Sequence, residues 1–160
     1  MSRIANVIAI SVISIFFLQA TATAQSLEVK RYSYAEWAKG RFSEVVTVNG
    51  PGKTIYVAGV GAEDETGPFG SIRHQGNFLE QCAYAYDKIK RHLAKHGAKL
   101  SDVVKQVTYV TDIRFLPDFG KCRTQAWGTV EIPTNTFVTV VALAVPGMLV
   151  EIDVTAVVPK

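Results

Sequence analysis

The sequence predicts an α+β domain: a mixed β-sheet with two helices packed on one face, in the order β-β-α-β-α-β-β. Three observations lead there. Between residues 72 and 96 apolar side chains recur at alternating spacings of three and four, which is the period of an amphipathic helix. Residues 148–158 alternate instead, with Val150, Ile152, Val154, Ala156 and Val158 on one side and Leu149, Glu151, Asp153, Thr155 and Val157 on the other. That is a strand with one buried face. The other segments are short and broken by Gly and Pro turn signals, with no repeat or long linker after residue 25. Two helices on one face of a sheet bury such a set of elements compactly.

The first 24 residues are set apart from this pattern. Arg3 gives a short positive start, Ile4–Leu18 is nearly uninterrupted apolar sequence, and Ala22-Thr23-Ala24 places small residues where a signal peptidase reads them. This is the pattern of a secretory signal, and the run is short for a membrane span of roughly 20 residues. An uncleaved anchor is the alternative. Cleavage before Gln25 leaves a single domain, residues 25–160, periplasmic or secreted, with no membrane attachment. The formal charge of +3 includes Arg3, so the mature domain is only slightly basic. That argues against a dedicated nucleic-acid surface, as does the lack of exposed aromatics within the basic run 88–99.

A short strand is expected near Leu27–Arg31. Phe42–Val48 is rich in valine and reads as the next strand; Asn49-Gly50-Pro51-Gly52 is a turn signal, and Thr54–Val60 returns from it, predicting a β-hairpin. The helix over 72–96 has Leu79, Cys82, Tyr86, Ile89 and Leu93 as its apolar stripe. Lys88, Lys90, Arg91, Lys95, His92 and His96 gather toward its end, where cations suit the helix dipole. Gly97 stops it. A turn at Ser101–Val104 leads into a strand at Lys105–Thr111. The second helix starts near Phe115, with Pro117 in its first turn and Leu116, Phe119, Cys122 and Ala126 facing inward. Thr136–Leu143 and Met148–Val158 are the last strands. Cys82 and Cys122 both fall at apolar helical positions. They are either buried thiols or, in an oxidising compartment, a pair. The sheet face opposite the helices needs a cover, and self-association is the natural one for so small a chain.

Several segments, in order, carry a family resemblance: Ile55-Tyr56-Val57-Ala58-Gly59, Leu100-Ser101-Asp102-Val103-Val104-Lys105, Val107-Thr108-Tyr109-Val110-Thr111-Asp112 and Val150-Glu151-Ile152-Asp153. Over about Phe42–Val158 the chain resembles the Rid (reactive intermediate deaminase, YjgF-like) family. The resemblance implies a chorismate-mutase-like fold and a homotrimer with a ligand cleft at each subunit interface. It also implies hydrolysis of imines and enamines to a keto compound and ammonia, with no cofactor and no metal. Active members carry Pro-Ala-Arg-Thr after the second helix, its arginine gripping the substrate carboxylate by a bidentate pair.

Here that motif is Pro133-Thr134-Asn135-Thr136, so Asn135 holds the arginine position. Phe137 stands where a cysteine is common, Phe42 where a tyrosine is, and Ala58-Gly59 replaces a Ser-Gly pair. Glu151 is retained, the carboxylate that positions or activates water in active members. The resemblance therefore assigns Glu151 as the catalytic candidate, and Asn135, Gly59, Ala58, Phe42 and Phe137 as ligand-binding candidates; Arg123, on the second helix beside Cys122, joins them as a cation that could replace the lost arginine if it turns toward the cleft. Each has a plainer reading: Glu151 a solvent-facing strand carboxylate, Asn135 a turn residue, Arg123 a solvated helix-face cation. His92 and His96 have the i, i+4 spacing of metal ligands, but no third ligand accompanies them. The functional expectation is an exported, cofactor-free hydrolase or deaminase acting on a small imine, enamine or related compound less acidic than the substrates of arginine-bearing relatives. The alternative is a non-catalytic trimer of the same fold that binds a small ligand. A ribonuclease or holdase role, claimed for relatives, is a third reading.

Overall fold

The computed structural model describes residues 25–160, so the expected signal segment lies outside the described residues. Six strands and two helices follow in the order β1 (Glu28–Tyr32), β2 (Val45–Asn49), β3 (Gly52–Val60), α1 (Phe78–Lys95), β4 (Val103–Val110), α2 (Leu116–Trp127), β5 (Thr134–Thr139) and β6 (Val150–Pro159). This is the expected order with the short first strand added. The main sheet runs β3-β6-β4-β5, antiparallel except for the parallel pair β4 and β5. A parallel neighbour needs a crossover, and α2 supplies it.

The hairpin expected between β2 and β3 does not form. β2 pairs with β1, Tyr32 opposite Val45, while β3 pairs with β6. Gly50 turns the chain with a φ of 92°, and a Cβ there would lie 2.4 Å from the Ser26 carbonyl oxygen. The turn is thus packed against the start of β1. Pro51, just after it, has no N–H to give a ladder, and β3 continues along the long apolar edge of β6.

α1 begins later than the apolar period suggests. Gly76 has a φ of 73°, which ends any helical run from Ile72. Asn77 then caps the helix, its side chain accepting from the Glu80 N–H at 3.2 Å. Gly97, with a φ of 76°, follows the last turn as expected. The buried stripe is Phe78, Cys82, Ala85, Tyr86, Ile89 and Leu93. Leu79 and Leu116, both assigned inward from the sequence, are 39 % and 49 % exposed; Phe78 takes the inward position beside Leu79, and Phe119 is buried as expected. Phe78 stacks on Phe115 at 4.4 Å, joining the two helix starts.

The cysteines are paired. Cys82 on α1 and Cys122 on α2 are fully buried and form a disulfide across the helix pair. Beneath the helices lie Val150, Ile152, Val154, Ala156 and Val158, all buried as the alternation predicts. Each large aliphatic side chain so buried contributes about 1.5–3 kcal/mol. On the other face Val157 is buried, with Leu27 near it beside Gly52, while the middle of the sheet is left partly exposed. Tyr56 is 81 % exposed there, and Tyr109, Glu151 and Asp153 share that face with it.

Candidate functional site

Strand register separates the predicted site residues into two groups. Asn135 pairs with Gln106 and Phe137 with Thr108, while Glu151 pairs with Tyr109. Because side chains alternate along β4, Asn135 and Phe137 lie on the helix-bearing face and Glu151 on the opposite one.

The first group lines a groove of about 670 Å³ between α2, β5 and the segment before β2. Phe42, Arg123, Asn135 and Phe137 all border it, together with Trp37, Arg41 and Phe119. That volume is in the usual range for small-molecule sites. Phe42 is placed by its neighbour Ser43, whose hydroxyl donates to the Ile132 carbonyl at 2.8 Å. Trp37 meets Phe42 edge-on at 5.5 Å, and Phe119 lies 5.1 Å from Phe137.

Asn135 is held rather than loose. Its side-chain oxygen accepts from Gln106 at 3.2 Å and from Thr108 at 3.3 Å. Gln106 in turn accepts from the Tyr86 hydroxyl at 3.2 Å. Burial pushes the Tyr86 phenol up to about 12, so it is a fixed neutral donor. A satisfied buried network of this kind orients its last member, and the Asn135 amide N–H groups have no acceptor among the described residues. Arg123, half-buried on α2, has its guanidinium 5.5 Å over the Phe119 ring. Burial lowers its pKa, and nearby Arg41 lowers it further.

The second group sits at a bulge in β3. Register shifts between Val57 and Val60, so that Ala58 and Gly59 together oppose one residue of β6. Both are exposed. The Glu151 carboxylate lies directly over this bulge: a Cβ on Gly59 would fall 1.9 Å from Glu151 Oε1. Burial raises the Glu151 pKa, and the neighbouring charges of Glu63 and Asp153 raise it further, with no donor offsetting them. Glu63 is different. Burial would raise it too, but Lys88 and the Gly61 N–H hold it below the ordinary value. Lys88 was expected among the solvated cations at the end of α1. It is instead buried, donating to the Gly61 carbonyl at 3.0 Å and to Glu63 Oε2 at 2.8 Å. His92 borders a small recess beside Glu63 and Lys88, while His96 forms the end cap of α1.

Sequence reasoning gave Trp37, Arg41 and Glu63 no place in the site, and named Phe119 only as an inward helix residue and Lys88 only as one of the cations at the end of α1. Lys88 lies seven residues after buried Gln81, two turns on along the same edge of the α1 stripe, and that polar pairing was the available signal. Gln106 and Thr108 are polar residues two apart on the core side of a strand, which likewise marks a buried network.

The subunit thus carries an aromatic groove on one side of its sheet and, on the other, a carboxylate without an ion-pair partner among the described residues. Residues 34–158 match the family described as Endoribonuclease L-PSP, the grouping that includes YjgF-like and Rid proteins; the chain belongs to this family. Among solved structures it is similar to YyfB of Yersinia pestis, a conserved Rid-family protein of unknown function. The identity is 27 % over 80 % of this chain and 98 % of that one, with a TM-score of 0.68. A YjgF/YER057c/UK114-family member from Mycobacterium tuberculosis is 30 % identical over 82 % and 100 %, at a TM-score of 0.56. A YjgF-family protein from Neisseria meningitidis is 27 % identical over 81 % and 94 %, at 0.52. No curated protein matches the sequence. The mixed sheet with two helices on one face is the fold of these relatives.

Proposed function

We propose that the protein is an exported hydrolase of small imines or enamines, working without a cofactor in a site completed by a neighbouring copy in a homotrimer. The carrying observation is Glu151: a half-buried, raised carboxylate without a donor, over a bulge whose Gly59 offers no side chain. Such a group, once deprotonated, is a general base. It takes a proton from water as the water oxygen attacks the C=N carbon. The proton passes to nitrogen to give a carbinolamine; Glu151 then moves the carbinolamine hydroxyl proton to the nitrogen as the C–N bond breaks, and a carbonyl compound and ammonia leave.

Asn135, fixed by Gln106 and Thr108, donates to a polar group of the substrate. Phe42, Phe137 and Phe119 receive its apolar part. Glu151 and Asn135 lie on opposite faces of one subunit's sheet, so a site using both draws Glu151, Gly59 and Ala58 from one copy and the groove from another. The exposed β-face, with Tyr56 at its edge, is the surface such an assembly would cover. Residues 1–24 carry the export signal.

The test is suppression of semicarbazide trapping of imines generated by an amino-acid oxidase, using the mature chain and Glu151→Ala. Removing a general base lowers turnover by about 10²–10⁴-fold. Wild-type turnover is expected to rise with pH as Glu151 deprotonates. Trapping unaffected by the wild-type protein with acidic, neutral and aromatic precursors alike would leave a ligand-binding trimer without turnover. That second reading is favoured by one observation: Asn135 places no positive charge at the position it occupies on β5.

A further inference from the structure

We infer that Lys88 and Glu63 act together as a positioning pair for Glu151, fixing the strand end beneath it and setting how much neighbouring charge it meets. The inference deepens the proposed function, since it rests on Glu151 as the working carboxylate, but it can be tested without turnover.

The main chain just beyond the bulge carries the argument. After the register shift the last pairing with β6 is Val60 opposite Ile152, so Gly61 to Glu63 lie outside that ladder. Buried main-chain groups there need other partners, and one ammonium supplies them. Lys88 Nζ donates to the Gly61 carbonyl at 3.0 Å, to the Glu63 carbonyl at 3.1 Å and to Glu63 Oε2 at 2.8 Å. The same Oε2 accepts from the Gly61 N–H at 3.0 Å. Lys88 is only 5 % exposed, and Glu63 is its one ion-pair partner among the described residues. A satisfied buried network of this kind rigidifies the segment it joins.

That segment lies directly against Glu151. A Cβ on Gly61 would run into Met148 Cε and fall 3.0 Å from the carbonyl oxygen of Val150, the residue before Glu151. A Cβ on Gly59 would meet the Glu151 carboxylate itself. Residues 59–61 thus form the floor under the carboxylate, and Lys88 holds the far end of that floor from α1.

The pair also acts through charge. Burial, and next the charge of Glu63, disfavours ionisation of Glu151. Lys88 sets a positive charge 2.8 Å from Glu63; without it, Glu63 and Glu151 would compete for one proton. The other groups around Glu151 are Asp153 on its own strand and Tyr109 on β4, whose hydroxyl donates to Asp153 at 3.2 Å. Glu65 and His92 border the recess that Glu63 and Lys88 line. In the proposed assembly, Arg41 and Arg123 of the neighbouring groove join them. The plainer role of Lys88, a strut between α1 and β3, predicts lost stability on its removal and no change in how Glu151 titrates.

The experiment follows the Glu151 carboxyl by carbon NMR as pH is varied, in the intact mature protein labelled at glutamate and assigned with Glu151→Gln. Wild type is compared with Glu63→Gln and Lys88→Met, and every other group named above is common to all of them. Glu63→Gln should lower the Glu151 midpoint by at least about half a pH unit, because a like charge has gone. Lys88→Met should raise the pH at which the Glu63–Glu151 pair takes up its first proton by at least about half a unit. A smaller shift in either variant, or shifts of the same sign, overturns the inference. If Lys88→Met does not fold, Glu63→Gln decides alone. Imine hydrolysis should show the same displacements in the acidic limb of kcat/KM. The expected NMR shifts in a protein that turns over no imine would sink only the hydrolytic reading.

Discussion

Replacing both Cys82 and Cys122 with alanine should remove a large share of the stability of this domain. The disulfide joins positions separated by 40 residues. Closing a loop of that length in the unfolded chain lowers its entropy by about 13 cal/mol/K, which corresponds to roughly 4 kcal/mol at 25 °C. Small domains are stable by only about 5–15 kcal/mol, so the oxidised and cysteine-free proteins should differ visibly. The pair is fully buried between α1 and α2, so lost packing adds to the entropic cost. The assay is guanidinium unfolding followed by circular dichroism, at one fixed protein concentration because assembly shifts apparent stability. With a denaturant slope of about 4 kcal/mol per molar, the midpoint should fall by about 1 M. A loss below about 1 kcal/mol would refute the reasoning. Two thiols titrating in the unreduced, unfolded protein would remove its premise.

Gly59→Ala should lower imine turnover by about 10²-fold, as expected when a catalytic group is displaced by an ångström or more, while the melting temperature stays close to that of wild type. The added methyl would sit 1.9 Å from Glu151 Oε1, and a flexible carboxylate moves aside more cheaply than backbone does. Unchanged turnover would show that the Glu151 position over the bulge does not matter. Lys88→Met should destabilise by about 2 kcal/mol, because it leaves the half-buried Glu63 without its cation. Chemical denaturation reads this directly, and a loss under about 0.5 kcal/mol would mean that Lys88 is only a space-filler.

How legible these features were in the sequence depended on the range of the interactions involved. The alternation from Val150 to Val158 fixes one face of β6 locally, and every inward position it names is buried. Leu79 and Leu116 went wrong because a helical stripe has edges, and which edge residue turns inward is decided by the neighbouring helix. The false hairpin has a similar cause: Asn49–Gly52 does turn the chain, but β1 and β6 were the stronger partners for the strands on either side. Lys88 looked like one cation in a basic run, and only the fold brings Glu63 and the Gly61 carbonyl to it. Asn135 could be placed by its motif. Its anchorage through Gln106 and Tyr86 joins three separate elements, which no local pattern reveals.

The sheet that divides the predicted site between its two faces has a genetic consequence. On the proposed mechanism, a variant damaged at Asn135 and one damaged at Glu151 would each lose activity alone, yet their lesions lie on different faces of the same sheet. If copies combine at random in a closed ring, about a quarter of the clefts in an equal mixture would join an intact groove to an intact carboxylate. Co-expressing the two inactive chains would then restore part of the activity that neither shows by itself, so loss-of-function alleles at this locus would complement one another according to the face they alter.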